Sequence, residues 1–150
     1  MKSLVCVDAS LVLKLVLGED DSPQAIALWR QWVDESLTIV APPLLAYEVT
    51  SVLRTKVYRG LLTPEAGDEA FREIHAQGIR YLAPNDLHSR AWELAKQFRR
   101  PAAYDAHYLA LALALGCEFW TADERLFNVV RETLPWVRFL GVNGDEGGGG

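Results

Sequence analysis

The chain has 150 residues, of which 50% are hydrophobic and 23% charged, a composition that predicts one globular domain with its own core and excludes a disordered chain. Its 15 basic and 20 acidic residues give a formal net charge of −5. That charge excludes a protein that holds nucleic acid through overall positive charge alone, so any contact with nucleic acid needs a local feature.

The cysteines and the apolar runs indicate the cellular compartment. Cys6 and Cys117 lie in apolar runs and lack the spacing of zinc ligands, so we expect buried, reduced thiols. The N-terminus lacks the pattern of a signal peptide. The longest apolar runs are far shorter than the about 20 residues that span a bilayer. We therefore expect a soluble, cytoplasmic protein.

Strand and helix signals alternate along the chain. Short runs rich in β-branched residues predict strands, and Ser-Pro, Pro-Pro and Thr-Pro pairs open helices that glycines close. The predicted strands are 3–7, 37–40, 79–82, 117–120 and 137–140. The predicted helices are 9–17, 22–35, 42–58, 63–78, 85–99, 102–115 and 121–132. This alternation predicts a three-layer α/β/α sandwich with a central, mainly parallel sheet, formed by residues 1–142, followed by a disordered Gly-rich tail at 143–150.

Three acidic residues follow predicted strands, and a fourth lies in the first turn of the apolar helix at 102–115. Ligands of open parallel sheets bind beyond the carboxyl ends of the strands, so these positions are the candidates for chemistry. The loop after the first strand reads DAS and has no glycine-rich phosphate-binding pattern, which removes the usual support for a nucleotide site. The four acids are Asp8, Glu48, Asp105 and Asp123.

Three of these acids also have a structural interpretation. Asp8 could cap the helix that follows it, and Thr121 to Glu124 reads as a capping box in which Asp123 only complements the helix dipole. Asp105 could likewise stabilise the first turn of its helix. Its apolar surroundings would desolvate the charge, however, and that favours a functional role.

Glu48 has no such structural interpretation. It falls on the stripe of Leu44 and Val52, which the helical period predicts to be buried, and no lysine or arginine shares that stripe. An unpaired buried carboxylate costs several kcal/mol. Several acids without a basic counterpart are expected around a cation, and oxygen ligands suit Mg²⁺ or Mn²⁺, which serve phosphoryl chemistry.

Four segments of the sequence together resemble the signature stretches of PIN domains, in particular those of VapC-like toxins of toxin–antitoxin pairs. The resemblance covers nearly the whole chain, and an acid stands at each signature position. The segments are VCVDAS at 5–10, YEVTSVLR at 47–54, YDAHYLALALALG at 104–116 and TADERLF at 121–127.

The resemblance implies a metal-dependent endoribonuclease with a Mg²⁺ or Mn²⁺ ion. Asp8, Glu48, Asp105 and Asp123 would be its catalytic, metal-binding acids. It further implies an RNA substrate, a small VapB-like antitoxin and a homodimer. Ser10 and Thr121 match hydroxyl positions of the family pattern, where they would hold waters around the metal, although helix capping is an equal interpretation.

The remaining polar residues indicate how RNA would be held and cut. The three histidines do not form a catalytic set, so water would attack the phosphodiester and leave a 5′-phosphate. Arg54, Arg99 and Arg100 are candidates for contacts with the RNA backbone, and the last two could equally complement a helix dipole. The alternative function is a non-catalytic PIN-like module that binds RNA or a protein.

One pair of tryptophans allows two interpretations. Trp29 and Trp32 share a helix face with Ile26 and Val33. That face could be an interior stripe or a groove for a partner helix.

Overall fold

The computed structural model describes residues 3–141 and contains five strands and seven helices. The tail predicted at 143–150 lies outside the described residues. The strands are β1 (Leu4–Val7), β2 (Thr38–Ala41), β3 (Arg80–Tyr81), β4 (Glu118–Thr121) and β5 (Val137–Phe139). The helices are α1 (Ala9–Leu17), α2 (Ser22–Asp34), α3 (Leu44–Tyr58), α4 (Pro64–His75), α5 (Leu87–Gln97), α6 (Tyr104–Leu115) and α7 (Glu124–Val130).

The five strands form one parallel sheet in the order β3-β2-β1-β4-β5. The predicted α/β class with a parallel central sheet is confirmed. The chain moves outward from β1 in one direction to β3 and then crosses back to β4 on the other side. The strand order therefore reverses between β1 and β4, and the carboxyl ends of these two strands form the crevice in which α/β sheets bind ligands.

Strand β1 and the middle of α6 are buried because the sequence gives them apolar side chains. In β1, Val5, Cys6 and Val7 are all buried, as expected of a strand covered on both faces. Helix α6 packs on β1 and β4. It buries the run from Tyr108 to Ala112 and ends at Gly116, whose φ of 66° is left-handed backbone that favours glycine.

The two largest differences between predicted and observed elements lie at helix ends. The helix predicted at 121–132 begins only at Glu124, because Thr121 continues β4 and pairs with Phe139 of β5. The helix predicted to reach residue 78 ends at His75. Helix boundaries depend on a residue or two of local hydrogen bonding, which sequence patterns specify poorly.

Trp29 and Trp32 are 5% and 4% exposed, so the interior interpretation of their helix face is confirmed. Val33 on the same helix is exposed.

Both cysteines are free; Cys6 is buried as predicted, while Cys117 is only half-buried. Among residues 3–141, no helix combines the length and the apolar character needed to cross a membrane.

Candidate active site

Asp8 lies where β1 ends, at the reversal of strand order, and is only 5% exposed. It caps α1, because its Oδ1 accepts a hydrogen bond of 3.1 Å from the backbone N–H of Leu11. The interpretation of Asp8 as a helix cap is therefore confirmed for one carboxylate oxygen. It does not explain the second carboxylate oxygen, which points to the neighbouring strand.

Two hydroxyl groups hold the Asp8 carboxylate. Ser10 Oγ donates to Asp8 Oδ1 at 2.6 Å, and Thr121 Oγ1 donates to Asp8 Oδ2 at 2.5 Å. The same hydroxyl oxygens accept hydrogen bonds from the backbone N–H groups of Ala122, at 2.9 Å, and Asp123, at 3.0 Å. Ser10 and Thr121 thus join the ends of β1 and β4 and orient Asp8.

The predicted capping box at Thr121 to Glu124 is wrong. Thr121 is the last residue of β4 and is fully buried, and its hydroxyl binds Asp8. Asp123 is the residue that caps α7, with Oδ1 accepting from the backbone N–H of Leu126 at 3.2 Å. The capping of α7 by Asp123 leaves its second carboxylate oxygen available for other partners.

The environment of Asp8 disfavours its negative charge. Burial raises the pKa of this carboxyl from its ordinary 3.8 to about 6, although the bonds from Ser10, Thr121 and Leu11 lower it, and the nearby Asp105 carboxylate raises it further. Among residues 3–141, no lysine or arginine forms an ion pair with Asp8. A positive charge bound at Asp8 would therefore stabilise the folded protein.

Glu48 does have a partner, contrary to the expectation from its own helix. Its carboxylate accepts a hydrogen bond from the hydroxyl of Tyr108 on α6. The side chain is half-buried, at the margin of a stripe whose buried members are Leu45, Val49 and Leu53. Burial raises the pKa of Glu48, the Tyr108 bond lowers it, and the Asp105 charge raises it again.

Asp105 also has a partner, so the expectation that the acids lack a basic counterpart is wrong. Arg100 Nη2 lies 3.2 Å from Asp105 Oδ2, and both side chains are partly exposed. Arg100 follows the end of α5, and Asp105 lies in the first turn of α6. The short connection between these helices places the guanidinium at the edge of the acidic cluster.

Three of the predicted acids influence one another electrostatically, because the Asp105 charge raises the pKa of both Asp8 and Glu48. The fourth, Asp123, is connected to Asp8 only through its backbone N–H, which donates to the Thr121 hydroxyl. Sequence reasoning missed the roles of Tyr108 and Arg100. A signal for Tyr108 exists, since it stands one helical turn after Asp105 in the same segment.

The side chains of these acids offer the kind of donor atom that a hard divalent cation binds. The donor atoms are carboxylate oxygens, which Mg²⁺ and Mn²⁺ prefer. Within residues 3–141, no three side chains of His, Cys, Asp and Glu stand as a group that could hold a metal ion in the arrangement shown. Arg100 contacts one oxygen of Asp105, and Tyr108 donates to one oxygen of Glu48, so a cation at Asp105 would compete with Arg100 for that carboxylate.

The other candidate arginines lie apart from these ion pairs. Arg99 is exposed with a left-handed φ of 52° at the end of α5. Arg54 is exposed, and its guanidinium lies 5.7 Å from the ring centroid of Tyr58. Both remain able to reach a ligand from solvent.

Comparison with protein families places all four predicted acids within one known domain. The PIN domain model matches residues 5–132. The chain belongs to the PIN-domain family.

Individual relatives cover most of the chain. The VapC ribonuclease Mb0985 of Mycobacterium bovis is 32% identical over 132 residues, which are 88% of this chain and 95% of that protein. Ribonuclease VapC3 of Pyrobaculum aerophilum is 30% identical over 125 residues, 80% of this chain and 89% of that protein. The crystal structure of PAE2754 from Pyrobaculum aerophilum has the same fold, with a TM-score of 0.63, 22% identity, and coverage of 86% and 87% of the two chains.

Proposed function

We propose that this protein is a VapC-like endoribonuclease toxin that hydrolyses RNA phosphodiester bonds in the cytoplasm. The observation that carries the proposal is Asp8, a buried carboxylate at the reversal of strand order. The Asp105 charge acts on both Asp8 and Glu48, and among residues 3–141 no lysine or arginine pairs with Asp8. Relatives named as VapC ribonucleases support it.

The proposed metal site consists of Asp8 and Asp105, with Glu48 and Asp123 beside them. A bound Mg²⁺ or Mn²⁺ ion would polarise the phosphodiester and activate water for attack, leaving a 5′-phosphate. The protein's contribution is orientation, because Ser10 and Thr121 fix both oxygens of Asp8 before any ligand arrives.

The arginines have the task of binding RNA in this proposal. When a cation occupies Asp105, Arg100 loses its partner and becomes available for a phosphate of the RNA backbone, together with Arg54 and Arg99. Arg100 would then exchange one anion for another.

The experiment that tests this function is RNA cleavage with mapped ends. The wild-type protein should cut a pool of cellular RNA in Mg²⁺ or Mn²⁺ and leave 5′-phosphates, and EDTA should stop it. Asp8→Asn and Asp105→Asn should lose cleavage while remaining folded. Asp34→Asn, at an exposed acid on α2, is the matched control and should cut like wild type. Cleavage that persists in EDTA or in both site variants refutes the proposal.

A second candidate is a PIN-like module that binds RNA or a protein without turnover. The observation in its favour is that Arg100 and Tyr108 already hold two of the acids, leaving no preformed group of three ligands among residues 3–141. Retention of RNA by the wild-type protein in a filter-binding assay, with no cleavage in Mg²⁺ or Mn²⁺, supports this function instead.

The proposed partners are a VapB-like antitoxin and a second copy of the chain. Co-expression with a VapB-like antitoxin should yield a stable complex that no longer cuts RNA. Light scattering of the isolated protein should give twice the 16.7 kDa chain mass. A monomer at micromolar concentration would contradict the proposed dimer and leave the proposed catalysis untouched.

A further inference from the structure

Two histidines on neighbouring helices lie in contact, and one of them, His107, stands two residues after Asp105 on α6. His88 Nδ1 on α5 is 2.8 Å from His107 Nε2 on α6, with ring centroids 5.0 Å apart and ring planes at 69°. His88 is exposed and His107 is half-buried, so solvent reaches the pair. Neither residue has a task in the proposed ribonuclease reaction.

The backbone fixes which nitrogen of His107 carries its lone pair. His107 Nδ1 lies 2.7 Å from the carbonyl oxygen of Ala103. A carbonyl oxygen only accepts, so Nδ1 carries the hydrogen, and the neutral ring presents the lone pair of Nε2 to His88. Donation of one ring N–H to a backbone carbonyl is also the arrangement that orients histidine ligands in metal sites.

The distance between the two nitrogens is close to that of two ligands on one ion. With metal–nitrogen bonds of about 2.1 Å, two ligand nitrogens are about 3.0 Å apart at a right angle and about 3.4 Å apart in a tetrahedron. The observed 2.8 Å needs to widen by only a few tenths of an ångström. In its other tautomer, His88 presents a Nδ1 lone pair to His107, and both rings must turn so that the two lone pairs converge on one ion.

We propose that His88 and His107 bind a divalent transition-metal ion such as Ni²⁺, Co²⁺ or Zn²⁺. Imidazole suits these ions, whereas the carboxylates around Asp8 suit Mg²⁺ and Mn²⁺, so the two sites select different metals. Waters complete the coordination, since no third His, Cys, Asp or Glu of residues 3–141 makes a group with the pair. The bound ion links α5 to the first turns of α6 and stabilises their packing.

His75 provides an internal control. Its Nδ1 also lies near a backbone carbonyl, that of Phe71 at 2.9 Å, and the side chain is exposed. It contacts the ring of Phe71, with centroids 4.1 Å apart, and has no second imidazole. The same backbone arrangement without a partner ring should not hold an ion.

The test is calorimetric titration of the full, untagged chain with Ni²⁺ and with Co²⁺, in buffer that contains excess Mg²⁺. We expect one ion per chain and a higher melting temperature. Loss of a residue that only orients a metal ligand lowers metal affinity by about 10–100-fold. His88→Ala and His107→Ala each remove a ligand itself, so each should lower metal affinity by at least as much. His75→Ala should bind like wild type.

Three results overturn the proposal. The first is that the wild-type protein shows no saturable metal binding. The second is that His75→Ala loses as much metal affinity as the His88 and His107 variants. The third is that metal binding survives both His88→Ala and His107→Ala and disappears in Asp105→Asn. The last result places the ion at the acidic cluster and leaves the proposed ribonuclease intact. If His107→Ala does not fold, the exposed His88→Ala and a His88→Gln variant decide the outcome.

Discussion

Replacing Asp8 by asparagine should stabilise the metal-free protein at neutral pH. The carboxyl is 5% exposed, and its pKa is about 6 against an ordinary 3.8. A difference of about 2 units corresponds to about 3 kcal/mol of charge penalty in the folded state. Asparagine is as good a helix cap as aspartate, so the bond from Leu11 survives.

The sign of the effect follows from the order of the two pKa values. Above pH 6 the carboxyl is ionised in both states, and the folded protein carries the full penalty. As the pH falls from 6 toward 3.8, the folded state binds the proton before the unfolded state does, and the penalty disappears. The stability gap between Asp8→Asn and wild type should therefore be widest above pH 6 and close below about pH 4.

The assay is urea denaturation of both proteins in EDTA across this pH range. After loss of the charged hydrogen bonds from Ser10 and Thr121, we expect Asp8→Asn to gain about 1–3 kcal/mol at pH 7.5, or roughly 3–10 °C in melting temperature. The other carboxylates titrate in both proteins, so the difference isolates Asp8.

The matched control is Asp123→Asn, which keeps the cap on α7 and removes a partly exposed charge; it should change stability by no more than about 0.5 kcal/mol. A variant at Asp8 that is less stable than wild type at pH 7.5, or a gap that does not depend on pH, refutes the reasoning.

Three further predictions concern stability and metal response. Tyr108→Phe removes the hydrogen bond to Glu48 and should cost about 1–2 kcal/mol in urea denaturation, whereas Tyr104→Phe, exposed on the same helix, should cost nothing measurable. Phe119→Ala opens a cavity in the fully buried core of β4 and should cost about 3–5 kcal/mol, against less than about 0.5 kcal/mol for the exposed Leu113→Ala. Mn²⁺ should raise the melting temperature of wild type by mass action, and Glu48→Gln should reduce that rise; an equal rise in both proteins removes Glu48 from the site.

The positions of Asp8 and α6 could be predicted from sequence because local signals decide them. A short apolar run ending in Asp8 specifies a buried strand with an acid at its carboxyl end. The seven Leu and Ala residues that complete α6 specify a central helix. The parallel sheet follows from the alternation of strands and helices.

The contacts inside the site could not be predicted because they join distant parts of the chain. Thr121 starts a convincing capping pattern, yet pairing with β5 and the bond to Asp8 keep it in a strand. Glu48 receives its partner from a helix 60 residues later. The pairing of Arg100 with Asp105 depends on the turn between α5 and α6, which periodicity does not specify.

The measurement that tests the acidic metal site most directly is an anomalous difference map from crystals of the wild-type protein soaked in Mn²⁺. The account predicts a peak in contact with the carboxylates of Asp8 and Asp105, with the Arg100 guanidinium displaced from its 3.2 Å contact with Asp105. A map with no peak at these residues while the Arg100 to Asp105 ion pair stays intact contradicts it.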